Sequence, residues 1–153
     1  MITFHQATSA DLKCILAFDH IAQHDHTREI CLQQAIDSGT LTTIRQDSKI
    51  IGYYIVEQHF FSHHFLSLLY IKPKVRNQGI GSQALIHILQ QYQHVPKFFT
   101  STNLSNSPMI HVLKKAGFQD SGIIYHLDDN DPELIFCYQP DTRRANKEMS
   151  QNT

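Results

Sequence analysis

No stretch of this sequence stays apolar for the roughly 20 residues needed to cross a bilayer. It does not open with a basic segment followed by an apolar core, so a secretory leader is not expected. An excess of charge of one sign is also missing, with 13 Lys and Arg against 14 Asp and Glu. No global field therefore recruits nucleic acid or an anionic membrane. Cysteine is scarce: Cys14, Cys31 and Cys137 are odd in number and widely spaced. They are expected to be reduced thiols of a cytoplasmic protein, not a disulfide framework. A free cysteine usually packs as a small hydrophobe, so a catalytic thiol is not expected. There is no internal repeat, and no linker divides the chain.

What remains is globular composition, 41% apolar and 18% charged over 153 residues, enough for one domain with an ordinary core. Residues 1–139 are expected to form that domain, and the polar stretch 140–153, with no core residue, a frayed tail. Ile2–His5 reads as a strand. Thr8-Ser9-Ala10-Asp11 resembles a capping box that starts a helix running to about Ala22, and a second helix is expected from Thr27 to Ser38, stopped by Gly39. Leu41–Gln46 and Ile50–Gln58 form a hairpin around Asp47-Ser48-Lys49, followed by a strand over His64–Ile71. Helical periodicity returns over Gly81–Tyr92, Lys97–Thr102 reads as a strand, and Asn106–Lys115 as a helix closed by Gly117. Two strands, Phe118–Leu127 and Glu133–Tyr138, flank an acidic turn at Asp128, Asp129 and Asp131. The strand–helix–strand crossover over 66–102 makes two neighbours parallel, while the hairpins are antiparallel. The expected fold class is α/β, with a mixed central sheet of six to seven strands flanked by about four helices.

The crossover carries the most informative stretch, Val75-Arg76-Asn77-Gln78-Gly79-Ile80-Gly81-Ser82, a basic turn between an apolar strand and a helix. Unpaired N–H groups at a helix start carry the positive end of its dipole, and glycine lets a phosphate approach them closely. A P-loop needs Lys and Ser/Thr after its last glycine, but Ser82-Gln83 follows Gly81. A dinucleotide turn fits Gly79-Ile80-Gly81-Ser82-Gln83-Ala84, yet no acid stands near Phe98–Asn103 to hold a ribose. Three antiparallel strands ahead of the turn also argue against a first βαβ unit. An ordinary tight strand–helix junction is the plain alternative.

The same eight residues resemble the Arg/Gln-x-x-Gly-x-Gly/Ala pyrophosphate loop of the GNAT N-acetyltransferase superfamily. Asn106 followed by Lys114-Lys115-Ala116-Gly117-Phe118 resembles that family's second signature, and the element order matches over Ile2–Tyr138. The resemblance implies a GNAT-like sheet and acetyl-CoA as cofactor, its acetyl group passing directly to an amine. It assigns cofactor binding to Leu69, Tyr70 and Ile71 on the strand edge, to Arg76, Asn77, Gln78, Gly79, Ile80, Gly81 and Ser82 in the loop, and to Asn106. A backbone N–H near Ile71 would polarise the thioester carbonyl. One departure matters: where many members carry a tyrosine that protonates the leaving thiolate, this chain has Leu113. Either Tyr125, Ser107 or water serves instead, or no donor is needed. For the base that deprotonates the amine, Glu57 comes first, followed by His64 and His63. The acidic turn suits a cationic acceptor, or is simply a hairpin turn.

His20 and His24 stand at i, i+4, with His26 beyond, but no matching carboxylate or Cys completes a set, so no metal is expected. A homodimer is compatible with the sequence. Two functions follow: an acetyl-CoA-dependent transferase acting on a primary amine of a small molecule, peptide or protein, or a non-catalytic acyl-CoA-binding sensor.

Overall fold

The computed structural model describes residues 1–140, 150 and 151. The expected polar tail lies outside the described residues except at Pro140, which is buried, and at Ser150 and Gln151, which are exposed. In chain order the elements are β1 (Ile2–Gln6), α1 (Leu12–Phe18), α2 (His20–His24), α3 (His26–Asp37), β2 (Leu41–Gln46), β3 (Lys49–Phe60), β4 (His63–Ile71), α4 (Ile80–Gln91), β5 (Phe98–Asn103), α5 (Ser107–Ala116), β6 (Gln119–Ile124) and β7 (Glu133–Tyr138). The seven strands hydrogen-bond in the order β1-β2-β3-β4-β5-β7-β6. β4 runs parallel to β5, with His64–Leu66 in register with Phe98–Thr100, and β1–β2, β2–β3, β5–β7 and β6–β7 are antiparallel. The fold is therefore the expected mixed α/β sheet, with five α-helices among the described residues instead of about four. The chain divides into two compact units: Met1–Glu57 with Ser67–Gly81, and Gln58–Leu66 with Ser82–Thr153.

The extra helix in the first unit arises at Asp19. Apolar periodicity predicts one helix to Ala22, but Asp19 is extended (φ −81°, ψ 96°) and separates α1 from α2. Its carboxylate accepts from the N–H groups of Ile21 and Ala22 and so starts a new helix. A capping aspartate competes with the backbone ladder and here overrides the period. Asp25 does the same for α3 through the N–H of Thr27. Asp47 and Ser48 both have positive φ, the mark of a two-residue turn that matches strand twist. Ile15, Phe18, Leu32, Ile36, Leu41, Ile55 and the rings of Tyr53 and Tyr70 form this unit's core.

In the second unit Leu66, Leu85, Ile88, Phe98, Leu113, Phe118 and Phe136 are buried. Phe98 and Phe118 meet at 6.4 Å, and Phe118 and Tyr138 at 5.6 Å. Asn106 caps α5 by accepting from the N–H of Met109, and Gly117 ends it in the left-handed region at φ 103°. β7 lies between β5 and β6 although it follows β6 in the chain. β6 stops at Ile124, short of the expected Leu127, because every one of its residues is exposed and packing does not extend it.

Candidate functional site

After β4 the chain makes one 3-10 turn, Pro73–Val75, then twists through Asn77 (φ 63°) and Gly79 (φ 78°) before α4 starts at Ile80. Asn is among the few side chains that tolerate the left-handed region, and glycine does so freely. Apart from the adjoining residues and the helix's own backbone, no atom lies within 4 Å of where a Cβ on Gly79 or on Gly81 would stand. Gly81 lies inside α4 and has no unusual backbone, so its missing side chain keeps the approach open instead of permitting a turn. Ile80 beside it is buried and anchors the helix head, while Asn77, Gln78 and Gly79 are exposed. The first N–H groups of α4, a 12-residue helix, have no partners within the helix, and its dipole adds positive potential there. Lys72, Lys74 and Arg76 precede them. The arrangement suits a diphosphate, and an uncharged ligand would waste it.

The strand end and the loop are joined directly. Arg76 donates from Nε to the carbonyl of Ile71 at 2.8 Å, and its guanidinium lies 5.1 Å from the centroid of the buried Tyr70 ring. Three of the expected cofactor residues thus meet in one place. Leu69 and Ile71 are half-buried, as is Glu57 at the end of this unit.

Behind Tyr70 lies a polar cluster that sequence reasoning missed. The Asp19 side chain is 0% exposed, and its Oδ2 accepts from the Tyr53 hydroxyl and from Arg28 Nε at 3.2 Å. Arg28, 15% exposed, also donates to the Tyr53 oxygen and lies 5.6 Å from the Tyr70 centroid. Burial, reinforced by the hydrogen bond to Asp19, pushes the Tyr53 hydroxyl well above its usual range and keeps it a donor. Tyr53 and Tyr70 stack at 5.8 Å, and the Tyr70 hydroxyl donates to the carbonyl of Phe18. One signal was present in the sequence: a capping residue, Asp19, in the middle of an apparently continuous helix.

His64, Ser82, Asn106, Leu113 and Tyr125 belong to the second unit. The His64 ring lies 4.9 Å from that of Tyr92. Burial lowers its pKa first, and the charges of His94 and His63 lower it further, so it is neutral at pH 7. Besides capping α5, Asn106 donates from Nδ2 to Thr102 Oγ1 at 3.1 Å. Leu113 is wholly buried and Tyr125 is 59% exposed. The acidic turn is braced: Asp128 accepts from Asn103 at 2.8 Å, and Asp131 from the Ser105 N–H and hydroxyl at 3.0 and 2.6 Å. Ser82, Leu85, Ile86, Leu89, Val112 and Lys115 line a groove of about 630 Å³.

Cys14 and Cys31 are free and exposed, against the expectation of burial, because both stand on outward positions of α1 and α3. Cys137 is half-buried, and that burial raises its thiol pKa, the opposite of an activated nucleophile. Among the described residues no group of three His, Cys, Asp or Glu is placed to hold a metal ion, and no helix is long and apolar enough to cross a membrane.

Residues 9–118 match the model of the acetyltransferase (GNAT) family. A GNAT-family acetyltransferase from Bacillus cereus ATCC 10987 is 33% identical, with a TM-score of 0.80 over 91% of this chain and 97% of its own. Two more distant structures share the fold. The ribosomal-protein-S18-alanine N-acetyltransferase of Escherichia coli is 19% identical, with a TM-score of 0.74 over 91% of this chain and 94% of its own. A GNAT-family acetyltransferase of Elizabethkingia anophelis, solved with acetyl-CoA bound, is 21% identical, with a TM-score of 0.69 over 90% of this chain and 97% of its own. No curated protein matches the sequence.

Proposed function

The chain belongs to the GNAT acetyltransferase family, and from that premise we propose that it moves the acetyl group of acetyl-CoA directly onto a primary amine. The observation that carries this reading is the open helix head, where Gly79 and Gly81 leave clear space before the first N–H groups of α4. Those groups, from Gln78 to Ser82, hold the pyrophosphate, and Arg76 faces it with the terminal nitrogens that its bond to Ile71 does not use. Leu69–Ile71 lies beyond the three-residue parallel register of β4, and its backbone receives the pantetheine arm. Asn106, fixed at the head of α5, contacts that arm. When bound, the thioester supplies an activated acyl group.

The chain's own task is then to orient the arm, polarise the carbonyl through an N–H near Ile71, and accept a proton from the incoming ammonium. Glu57 and His64 are the proposed bases, and His64, already neutral, can take a proton without first losing one. Leu113 has no hydroxyl, so the exposed Tyr125 is the proposed donor to the leaving group. A thiol with pKa near 8.5 also departs tolerably as thiolate. The acceptor is proposed to be cationic, drawn by the acidic turn, whose bracing fixes the charges of Asp128 and Asp131 in place. Free thiols fit a reducing compartment, so the proposed location is cytoplasmic.

The test measures CoA binding by calorimetry, then follows thiol release with polyamines, amino acids, aminoglycosides and peptides. The panel includes an N-terminal alanine peptide, the substrate class for which the E. coli neighbour is named. Gly81→Glu should abolish CoA binding by placing a carboxylate in the cradle, and unchanged affinity would show that the cradle is elsewhere. Tight CoA binding with no acceptor-dependent thiol release would favour the sensor reading, which Leu113 motivates.

A further inference from the structure

We infer that Tyr70 is a positioning residue for the cofactor's diphosphate, acting through Arg76. The inference rests on the CoA reading of the loop and adds a role that the loop motif does not contain. Arg76 is exposed and, as part of a glycine-rich turn, would sample many rotamers if nothing held it. Two contacts hold it: Nε bonded to the carbonyl of Ile71 at 2.8 Å, and the guanidinium 5.1 Å from the Tyr70 ring centroid. A cation within about 6 Å of an aromatic centroid is attracted by the negative π face. Together the contacts fix both the plane and the reach of the guanidinium, so its charge is placed before the anion arrives and less ordering entropy is lost on binding.

The ring is itself held on several sides. Tyr70 is buried, its hydroxyl donates to the carbonyl of Phe18, and it stacks on Phe18 at 6.2 Å and on Tyr53 at 5.8 Å. Arg28 also approaches the ring, at 5.6 Å, but Asp19 neutralises it at 3.2 Å. Repulsion between Arg28 and Arg76 is therefore reduced, and the ring can serve the loop. Lysine could not replace arginine here, because an ammonium has neither the planar face nor the side-on N–H that Ile71 uses.

The experiment measures CoA dissociation constants by calorimetry for the wild type, Tyr70→Phe, Tyr70→Leu, Arg76→Lys, Arg76→Ala and the Tyr70→Leu/Arg76→Ala double variant, with folding checked by circular dichroism. Tyr70→Phe keeps the ring and should bind CoA within about twofold of wild type, whereas Tyr70→Leu should bind roughly fivefold more weakly, the loss of one partly exposed cation–π contact. In the Arg76→Ala background Tyr70→Leu should cost nothing further, because its partner is gone. Arg76→Lys should lose most of what Arg76→Ala loses. Wild-type affinity in Arg76→Lys would overturn the inference even if Tyr70→Leu fails to fold. An equal loss from Tyr70→Leu with and without Arg76 would overturn it too, since that marks a general disturbance of the fold. A wild-type protein that does not bind CoA at all would instead overturn the cofactor reading.

Discussion

Replacing Asp19 with asparagine changes almost no volume and keeps an oxygen for the N–H groups of Ile21 and Ala22, so the start of α2 survives. What it removes is the negative partner of Arg28, and it sets an amide N–H against two donors, Arg28 Nε and the Tyr53 hydroxyl. With Asp19 0% and Arg28 15% exposed, water can do little to compensate. Removing one partner of a buried ion pair costs about 3–5 kcal/mol. Native stability is typically about 5–15 kcal/mol, so Asp19→Asn should lose roughly a fifth of it or more. At about 2–4 °C per kcal/mol for a chain of this size, the midpoint should fall by roughly 6–20 °C. Urea unfolding followed by circular dichroism gives the number, with an unchanged m-value expected because the surface exposed on unfolding is the same. Arg28→Met in the Asp19→Asn background should recover part of the loss, since no uncompensated charge remains. If Asp19→Asn costs less than about 1 kcal/mol, or if Arg28→Met deepens the loss, Asp19 and Arg28 do not act as a buried ion pair.

The raised pKa of Tyr53 has a defined sign. Below pH 10 the phenol is protonated in both states and its contribution is complete; above it the unfolded state loses the proton first, so stability falls as pH rises. A urea series above pH 10 should show that fall, and Tyr53→Phe should flatten it. For His64, whose pKa is lowered, the unfolded chain protonates first, so the stability it contributes is lost as pH falls below 6.5, and His64→Gln should blunt that acid loss in a thermal melt series. Gly79→Ala places a side chain at φ 78° but into open space, so it should cost roughly 1–2 kcal/mol of stability while CoA affinity falls far less than in Gly81→Glu. Calorimetry on both variants checks the contrast.

The sequence made the outer outline of this molecule readable because its strands are β-branched runs broken by turn residues. Ile50–Gln58 and His64–Ile71 fall within β3 and β4, and Gly117 ends α5 where expected. The helix head was legible because Gly79 and Gly81 stand between an apolar strand and a helical period. The break at Asp19 was masked despite its capping side chain, because periodicity sums over a dozen residues whereas a cap acts at one. The Asp19–Arg28–Tyr53–Tyr70 cluster was equally hidden: its members come from α3, β3, β4 and the break between α1 and α2, and nothing in a linear sequence brings residues 19, 28, 53 and 70 together. The bracing of the acidic turn was hidden too, because Asn103 and Ser105 hold Asp128 and Asp131 from more than twenty positions away.

β7 lies between β5 and β6 but is made after both. During synthesis the segment that becomes β6 leaves the ribosome with no neighbour to pair with, and it must wait for residues 133–138. Until then β5 and the future β6 offer unpaired edges to any other strand, the condition in which nascent chains are most exposed to wrong partners. The second unit therefore cannot close gradually from its amino-terminal side. A chain cut before Glu133 should hold β6 without a partner, so losing a few residues there would disable far more of the sheet than their number suggests.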